Sequence, residues 1–189
     1  MATNLSHLHS FFSNHKNQNP AKEIKSDFVC FDTADKIFSQ AKKLNISIEP
    51  LNINYIVKKM FKLDLEETDL GKETSGFLEK INDKWTIFVN SRESDYRKRF
   101  TVVHELAHYI KHRDNCPLKK DQIFFRDENT NSIEREANEF AANLLMPKEM
   151  FEKYIDEGYD TISSLADKFQ LSTSAVRYRA FKLGFISEC

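Results

Sequence analysis

Two histidines and a glutamate stand at a spacing that suits metal chemistry. His104 and His108 are four residues apart, and Glu105 directly follows the first. On a helix, such histidines lie one above the other, about 6 Å apart along the axis, so both imidazoles can reach one tetrahedral Zn²⁺. Glu105 lies about 100° around the helix from His104 and stays off the ion. The pattern therefore predicts a zinc site with Glu105 as general base towards an attacking water.

A catalytic zinc site also needs a third protein ligand and an open position. A later segment offers Glu134, Glu136 and Glu139. Glu134 shares a predicted helix face with Ala137 and Asn138, whose small side chains would let this helix approach another closely. The spacing favours Glu134 mildly over Glu136. Asn138, one turn further along, could hydrogen-bond a side chain that binds the metal.

Other polar residues near the motif receive weaker assignments. His112 continues the line of His104 and His108, but it would lie some 6 Å further along the axis, so we interpret it as a C-terminal helix residue. Tyr109 and Arg126 are the candidates for an oxyanion donor.

The spacing of apolar residues predicts the elements that must position these side chains. Helical spacing predicts helices over Asp32–Leu44, Asn52–Phe61 and Ser94–His112, and one from Asn131 or Ser132 that ends before Pro147. Alternating residues predict a strand over Lys62–Glu66 and a hairpin of Gly76–Ile81 and Trp85–Val89, with a turn at Asn82-Asp83-Lys84. Arg113–Asn131 reads as a long loop of the kind that is often functional.

The end of the sequence is typical of a helix-turn-helix. Two short helices, Thr161–Gln170 and Ser172–Leu183, are predicted, with Ala166 at their crossing and Gly184 as the stop. Arg177, Arg179 and Lys182 give the second helix a positive edge that could meet phosphates. Because this helix carries only three cations, packing on the core or docking a substrate is favoured over direct DNA binding.

Composition sets the broad class. The chain has 189 residues, of which 40% are hydrophobic and 30% charged, with a formal net charge of -1. This balance suits one domain with a small appendage and gives no global argument for nucleic acid or membrane binding. Residues 1–24 lack a secretory signal and read as a disordered tail, whose His7, His9 and His15 would bind metal only weakly. Three cysteines without a C-x-x-C pair predict reduced thiols in a cytoplasmic protein.

Two segments resemble a known family. Arg99–Tyr109, RFTVVHELAHY, followed by His112, resembles the zinc helix of the ImmA/IrrE family of metallopeptidases. Glu134–Pro147, EREANEFAANLLMP, resembles that family's second motif, E-x-x-A-N-x-F-A-x-x-L-L-M-P. The glutamate of the motif falls on Glu134, so the resemblance selects Glu134 over Glu136. Ala107 stands where many relatives have glycine.

The resemblance implies an α+β fold with a gluzincin-like core, in which a small twisted sheet packs on helices, plus the C-terminal helix-turn-helix-like segment. Together with the composition of the N-terminal tail, which matches nothing in the family, this predicts three parts: a tail (1–24), a zinc metallopeptidase domain (25–156) and the C-terminal segment (157–189). One Zn²⁺, or Mn²⁺ in its place, would be held by His104, His108 and Glu134, with Glu105 as the catalytic residue.

The function implied by the resemblance is that of a zinc-dependent endopeptidase. It would cleave or inactivate a helix-turn-helix transcriptional repressor of a mobile element or stress regulon, and this repressor would be its protein partner. The alternative is a DNA-binding or repressor-binding regulator with a structural zinc. Glu105 favours the enzyme, because a purely structural site has no use for a base beside the metal.

Overall fold

A computed structural model of the protein describes residues 31–112 and 128–188, with side chains of the second range from residue 132 onward. These residues form an α+β fold with a three-stranded sheet, as the sequence predicts. In chain order the elements are α1 (Ala34–Lys43), α2 (Ile53–Tyr55) with a π-helical continuation (Ile56–Met60), β1 (Asp64–Thr68), β2 (Gly76–Ile81), β3 (Lys84–Asn90), α3 (Asp95–His112), α4 (Glu128–Leu145), α5 (Lys148–Asp156), α6 (Ile162–Phe169) and α7 (Thr173–Leu183).

The first two helices begin at side-chain caps. The Thr33 side chain accepts a hydrogen bond from the Lys36 amide at the start of α1, and the Asn52 side chain accepts one from the Tyr55 amide at the start of α2. Such caps satisfy amides that have no partner within the helix. The predicted helix over Asn52–Phe61 is confirmed in position, although most of it has the π-helical form.

The sheet has the strand order β1-β3-β2. β1 pairs with β3 in parallel, and β2 pairs with β3 antiparallel. Asn82 and Asp83 both have positive φ, 48° and 65°, which is the geometry of a two-residue hairpin turn. The hairpin prediction is confirmed, but the predicted strand over Lys62–Glu66 is wrong by two residues. Lys62 has a φ of 57°, which interrupts the extended backbone, so β1 begins at Asp64.

Helices α3 and α4 pack against each other, and α3 also packs on β2 and β3. The core between them is made of fully buried aliphatic side chains. They include Ile87, Val103, Leu106, Ala107, Ala137, Ala141 and Leu144. The small residues of α4 among them let its backbone approach α3 closely, which brings the two sequence motifs together.

Two boundaries differ from the prediction in this region. α4 begins at Glu128, so the expected cap at Asn131 or Ser132 is wrong. The polar residues 128–131 contain no Gly or Pro that would stop a helix, and helix propensity alone leaves its start undefined. Helix α5, which begins directly after Pro147, was not predicted from the sequence, although Phe151 and Tyr154 show helical spacing and are buried. Pro147 does end α4, as predicted.

The C-terminal helices have the local geometry of a helix-turn-helix. Thr161 and Ser164 form a capping box at the start of α6, Gln170 takes the left-handed conformation in the turn, and Gly184 does so after α7. Ala166 is buried at the crossing. The Phe151 ring of α5 stacks on Phe169 of α6, so these helices share one core. The proposed division at residues 156 and 157 stays a prediction.

Several expectations concern residues outside the described ranges. These are the tail 1–24, the three cysteines, Arg126 and most of the predicted loop over residues 113–131. Within the described part of the chain, no helix combines the length and apolar character needed to cross a bilayer.

Candidate metal centre

The two motif histidines lie side by side on α3. Their ring centroids are 4.7 Å apart, and the two Nε2 atoms are 3.0 Å apart. The side chains of His104 and His108 are 16% and 19% exposed, so both rings lie at the edge of the core with their Nε2 atoms turned to a common point. The helical spacing of four residues thus produces the convergence predicted from the sequence.

Glu134 on α4 completes the cluster. Its Oε2 lies 3.1 Å from His104 Nε2, and its Oε1 lies 3.3 Å from His108 Nε2. The three side chains can each offer one ligand atom to a metal ion. Because Ala137 and Ala141 are fully buried against α3, the α4 backbone comes close enough for a glutamate to reach the imidazoles.

Asn138, one turn after Glu134, orients the first histidine. Its Oδ1 accepts a hydrogen bond from His104 Nδ1 at 3.0 Å. An imidazole that donates through Nδ1 is left, in its neutral form, with a lone pair on Nε2. Asn138 therefore selects the tautomer of His104 that can act as a ligand through the nitrogen facing Glu134.

The donor set fits a divalent cation. Ligand atoms about 2.0–2.2 Å from a tetrahedral ion lie about 3.3–3.6 Å from one another, and the three distances here, 3.0, 3.1 and 3.3 Å, are at or slightly below that range. Two imidazole nitrogens and a carboxylate that converge in this way are all electron-pair donors. Such a cluster requires positive charge between its members, from protons or from a cation.

The pKa shifts of Glu134 and His104 also indicate that the cluster favours a positive charge among its members. Hydrogen bonds with His104 and then His108 hold the pKa of the Glu134 carboxyl far below its ordinary value. Burial lowers the pKa of His104, but the Glu134 hydrogen bond and the Glu105 charge outweigh burial and raise it overall. The site thus favours a negative carboxylate beside a positive centre.

Glu105 lies beside the cluster but faces the sheet. It is only 9% exposed, and burial raises the pKa of its carboxyl, against the lowering effect of His104 and His108. Gly76, at the start of β2, is one of the residues that cover the Glu105 side chain. A Cβ on Gly76 would lie 2.5 Å from Thr101 Cγ2, 2.7 Å from the Phe88 carbonyl oxygen and 3.7 Å from Glu105 Cγ. Only glycine lets β2 approach α3 this closely.

Gly76 was not recognised as a site residue from the sequence. A signal was present, because a glycine at the start of a strand pattern often marks a close backbone approach. Nothing in the sequence indicated which element would approach it. The contact with α3 depends on the packing of the hairpin.

The remaining candidates lie outside the cluster. Glu136 contacts the end of α3 instead, 3.7 Å from Lys111 Nζ and 3.8 Å from His112 Nε2. His112 is the last residue of α3, and its buried Nε2 has no hydrogen-bond partner among the described residues. The Tyr109 ring packs between Phe61 and Trp85.

The comparison with protein families decides the relationship. The family described as IrrE N-terminal-like domain, Peptidase M78, matches residues 59–181, roughly two thirds of the chain. The chain belongs to the Peptidase M78 family. The match includes both motif helices and therefore all of His104, Glu105, His108 and Glu134. The M78 assignment confirms the resemblance to the ImmA/IrrE family of metallopeptidases.

Solved structures share the fold of this chain. A Mycobacterium tuberculosis transcriptional regulator superposes with a TM-score of 0.58 at 15% sequence identity. The superposition covers 78% of this chain but only 44% of the regulator, so the chain spans less than half of that protein's length. At this identity the likeness concerns the fold alone. No curated protein matches the sequence.

Proposed function

We propose that this M78 protein is a zinc-dependent endopeptidase whose metal is held by His104, His108 and Glu134. The observation that carries the proposal is the convergence of the two imidazole nitrogens and the carboxylate, 3.0 to 3.3 Å apart, next to the buried carboxyl of Glu105. Two nitrogen ligands and one oxygen ligand suit Zn²⁺, and Mn²⁺ is the alternative.

The exposure of the cluster supports a catalytic role over a structural one. The Glu134 side chain is 49% exposed, so the ligands are reachable from solvent on the α4 side. Three protein ligands with an accessible fourth position are typical of catalytic zinc, whereas structural sites are closed by four protein ligands. The described residues give no such support to the alternative of a regulator with a structural zinc.

The protein's own groups would divide the chemistry among them. A bound divalent ion would supply Lewis acidity towards the scissile carbonyl and the attacking water. Glu105 would accept the proton of that water and then return it to the leaving amine. Burial raises the pKa of its carboxyl, which makes it a stronger base towards the water proton. Asn138 would keep His104 in the ligating tautomer throughout.

The proposed substrate is a helix-turn-helix transcriptional repressor of a mobile element or stress regulon, which the enzyme would cleave or inactivate. This proposal rests on the resemblance to the ImmA/IrrE peptidases and on the family match. A cytoplasmic location would give the enzyme access to such a substrate.

The test mixes purified protein, loaded with Zn²⁺, with the repressor encoded nearest its gene, and mass spectrometry identifies the fragments. We expect cleavage by the wild type and none by Glu105→Gln, which keeps all three metal ligands. Repressor binding without fragments in either protein would instead indicate a non-catalytic interaction module. A salt-sensitive shift of DNA without cleavage would indicate the DNA-binding alternative.

A further inference from the structure

Helix α7 presents large aromatic side chains to solvent. Tyr178 is 52% exposed and Phe181 is 39% exposed, three residues apart and on one face of the helix. Phe185, just beyond the helix, is 38% exposed, and its ring stacks on the buried Phe151. Adjoining exposed aromatics of this kind mark interaction sites more often than chance. We call Tyr178 and Phe181 the aromatic stripe.

Positive charge borders the aromatic stripe. Arg177 and Lys182 are both exposed, and Lys182 Nζ lies 5.6 Å from the centre of the Tyr178 ring. α7 contains no acidic residue. The third cation, Arg179, faces the other way, because its Nε donates to the Met146 carbonyl oxygen at 3.0 Å. The outer face of α7 is thus aromatic in the middle and cationic at its border.

The backbone of α7 is held rigidly. The Ser172 side chain accepts a hydrogen bond from the Ala175 amide, and the Phe185 amide donates to the Ala180 carbonyl beyond the helix end. Val176 and Ala180 anchor the inner face in the core. A surface fixed in advance loses little conformational entropy when a partner binds.

We propose that this face of α7 docks a protein partner through a helix whose apolar stripe is bordered by carboxylates. The aromatic stripe would supply the anchors, and Arg177 and Lys182 would pair with the carboxylates. This docking site is separate from the chemistry at the metal centre and does not depend on it.

The charge of the C-terminal segment favours a protein over DNA as the partner that binds the outer face of α7. Residues 157–188 carry four basic and four acidic side chains, so the C-terminal segment has no net positive charge. Helix-turn-helix proteins gain most of their DNA affinity by neutralising many phosphates, and only two exposed cations lie on α7. Exposed aromatic rings gain more from an apolar partner surface.

Two synthetic amphipathic helical peptides with the same leucine stripe test the proposal, one bordered by glutamates and the other by lysines. Fluorescence anisotropy with the full chain should show about tenfold tighter binding of the glutamate peptide at low salt. Y178S/F181S should weaken this binding at least tenfold. R177E/K182E should reverse the preference and favour the lysine peptide.

Controls separate docking from folding and from catalysis. Thermal denaturation should be nearly unchanged in both double variants, because the four side chains are exposed. Tyr55→Ser removes a ring that is 41% exposed on α2 and should leave peptide binding intact, as should Glu105→Gln. The proposal is overturned if neither peptide is preferred or if R177E/K182E does not reverse the preference. Binding of a mixed-sequence DNA duplex but of neither peptide would also overturn it.

Discussion

At the scale of single residues, two glutamates of α4, Glu134 and Glu136, make different contacts although they are only two positions apart. Glu134 meets both imidazoles, whereas Glu136 lies beside Lys111 and His112. Two positions along a helix correspond to about 200° of rotation, so the two carboxylates leave α4 on nearly opposite sides. Asn138, one turn after Glu134, accepts a hydrogen bond from Nδ1 of His104, the ring nitrogen that does not face Glu134.

Glu134→Gln should remove most of the metal affinity, because the amide cannot replace the negative charge among the three ligands. We expect at least a 100-fold weaker Zn²⁺ affinity, measured by competition with a chromogenic chelator. Glu136→Gln is the matched control on the same helix and should bind Zn²⁺ like the wild type. Equal losses in the two variants would contradict the ligand assignment.

Asn138→Ala should weaken Zn²⁺ binding about 10- to 100-fold, because His104 loses the acceptor that fixes its tautomer and ring orientation. The same competition assay measures the effect. Asn143→Ala, further along α4, is the control for loss of an amide and should bind normally. Wild-type affinity in Asn138→Ala would show that the hydrogen bond has no role in ligation.

At the scale of elements, two residues position the hairpin against α3. They are Gly76, which has no side chain, and Asn90, whose side-chain amide is buried. Gly76 leaves room for Thr101 and Glu105. The Asn90 side chain, 2% exposed, donates to the carbonyl oxygens of Gly71 and Thr74 and holds the connection that leads into β2. Together they place the edge of the sheet against the buried carboxyl of Glu105.

Gly76→Ala should lower the free energy of unfolding by about 1–3 kcal/mol, because the new methyl group overlaps Thr101 Cγ2 and the Phe88 carbonyl. Urea denaturation measures the loss. Thr101→Ser removes the overlapping methyl and should recover part of it in the double variant, while the backbone contact remains. Lys80→Ala, exposed on the same strand, should have little effect. A fully stable Gly76→Ala protein would refute the close approach.

At the scale of the whole molecule, the contacts of Glu134 with His104 and His108 link α3 to α4, and Arg179 links α7 to the end of α4. The second link is the hydrogen bond from Arg179 Nε to the Met146 carbonyl, just after α4. Burial lowers the pKa of the Arg179 guanidinium. The residue thus acts as a helix cap rather than as part of the positive edge expected from the sequence.

Arg179→Met should destabilise the protein by about 1–3 kcal/mol, because a carbonyl loses its charged donor. Arg177→Met, two residues earlier and exposed, should change the unfolding free energy by less than about 0.5 kcal/mol. Urea denaturation of both variants makes the comparison. Similar stabilities would contradict the capping role.

Removal of the metal should lower the melting temperature, because an ion that bridges α3 and α4 binds only the folded chain. At a free Zn²⁺ concentration 100-fold above Kd, the stabilisation is about 2.7 kcal/mol. Differential scanning fluorimetry with Zn²⁺ and with a chelator measures it. The shift should nearly vanish in Glu134→Gln, and a full shift in that variant would place the ion elsewhere.

The sequence by itself determined the parts of this protein that depend on local periodicity. The helix that carries His104 and His108 at a spacing of four residues, the hairpin and the paired C-terminal helices were all predicted, although Lys84, expected in the hairpin turn, begins β3. These features need only neighbouring residues along the chain. Helix starts in polar segments, such as that of α4, were not determined, because local propensities there are nearly equal.

Only the tertiary structure decided which side chains from distant segments meet. Spacing alone left Glu134 and Glu136 as alternatives, and the packing of α4 on α3 brings Glu134 to the imidazoles. The packing of α7 on the end of α4 turns Arg179 inward, away from the aromatic stripe, and the packing of the hairpin on α3 places Gly76 against Glu105. Contacts between distant segments depend on the crossing of whole elements and on the volumes buried between them, and neither is encoded in the period of a single element.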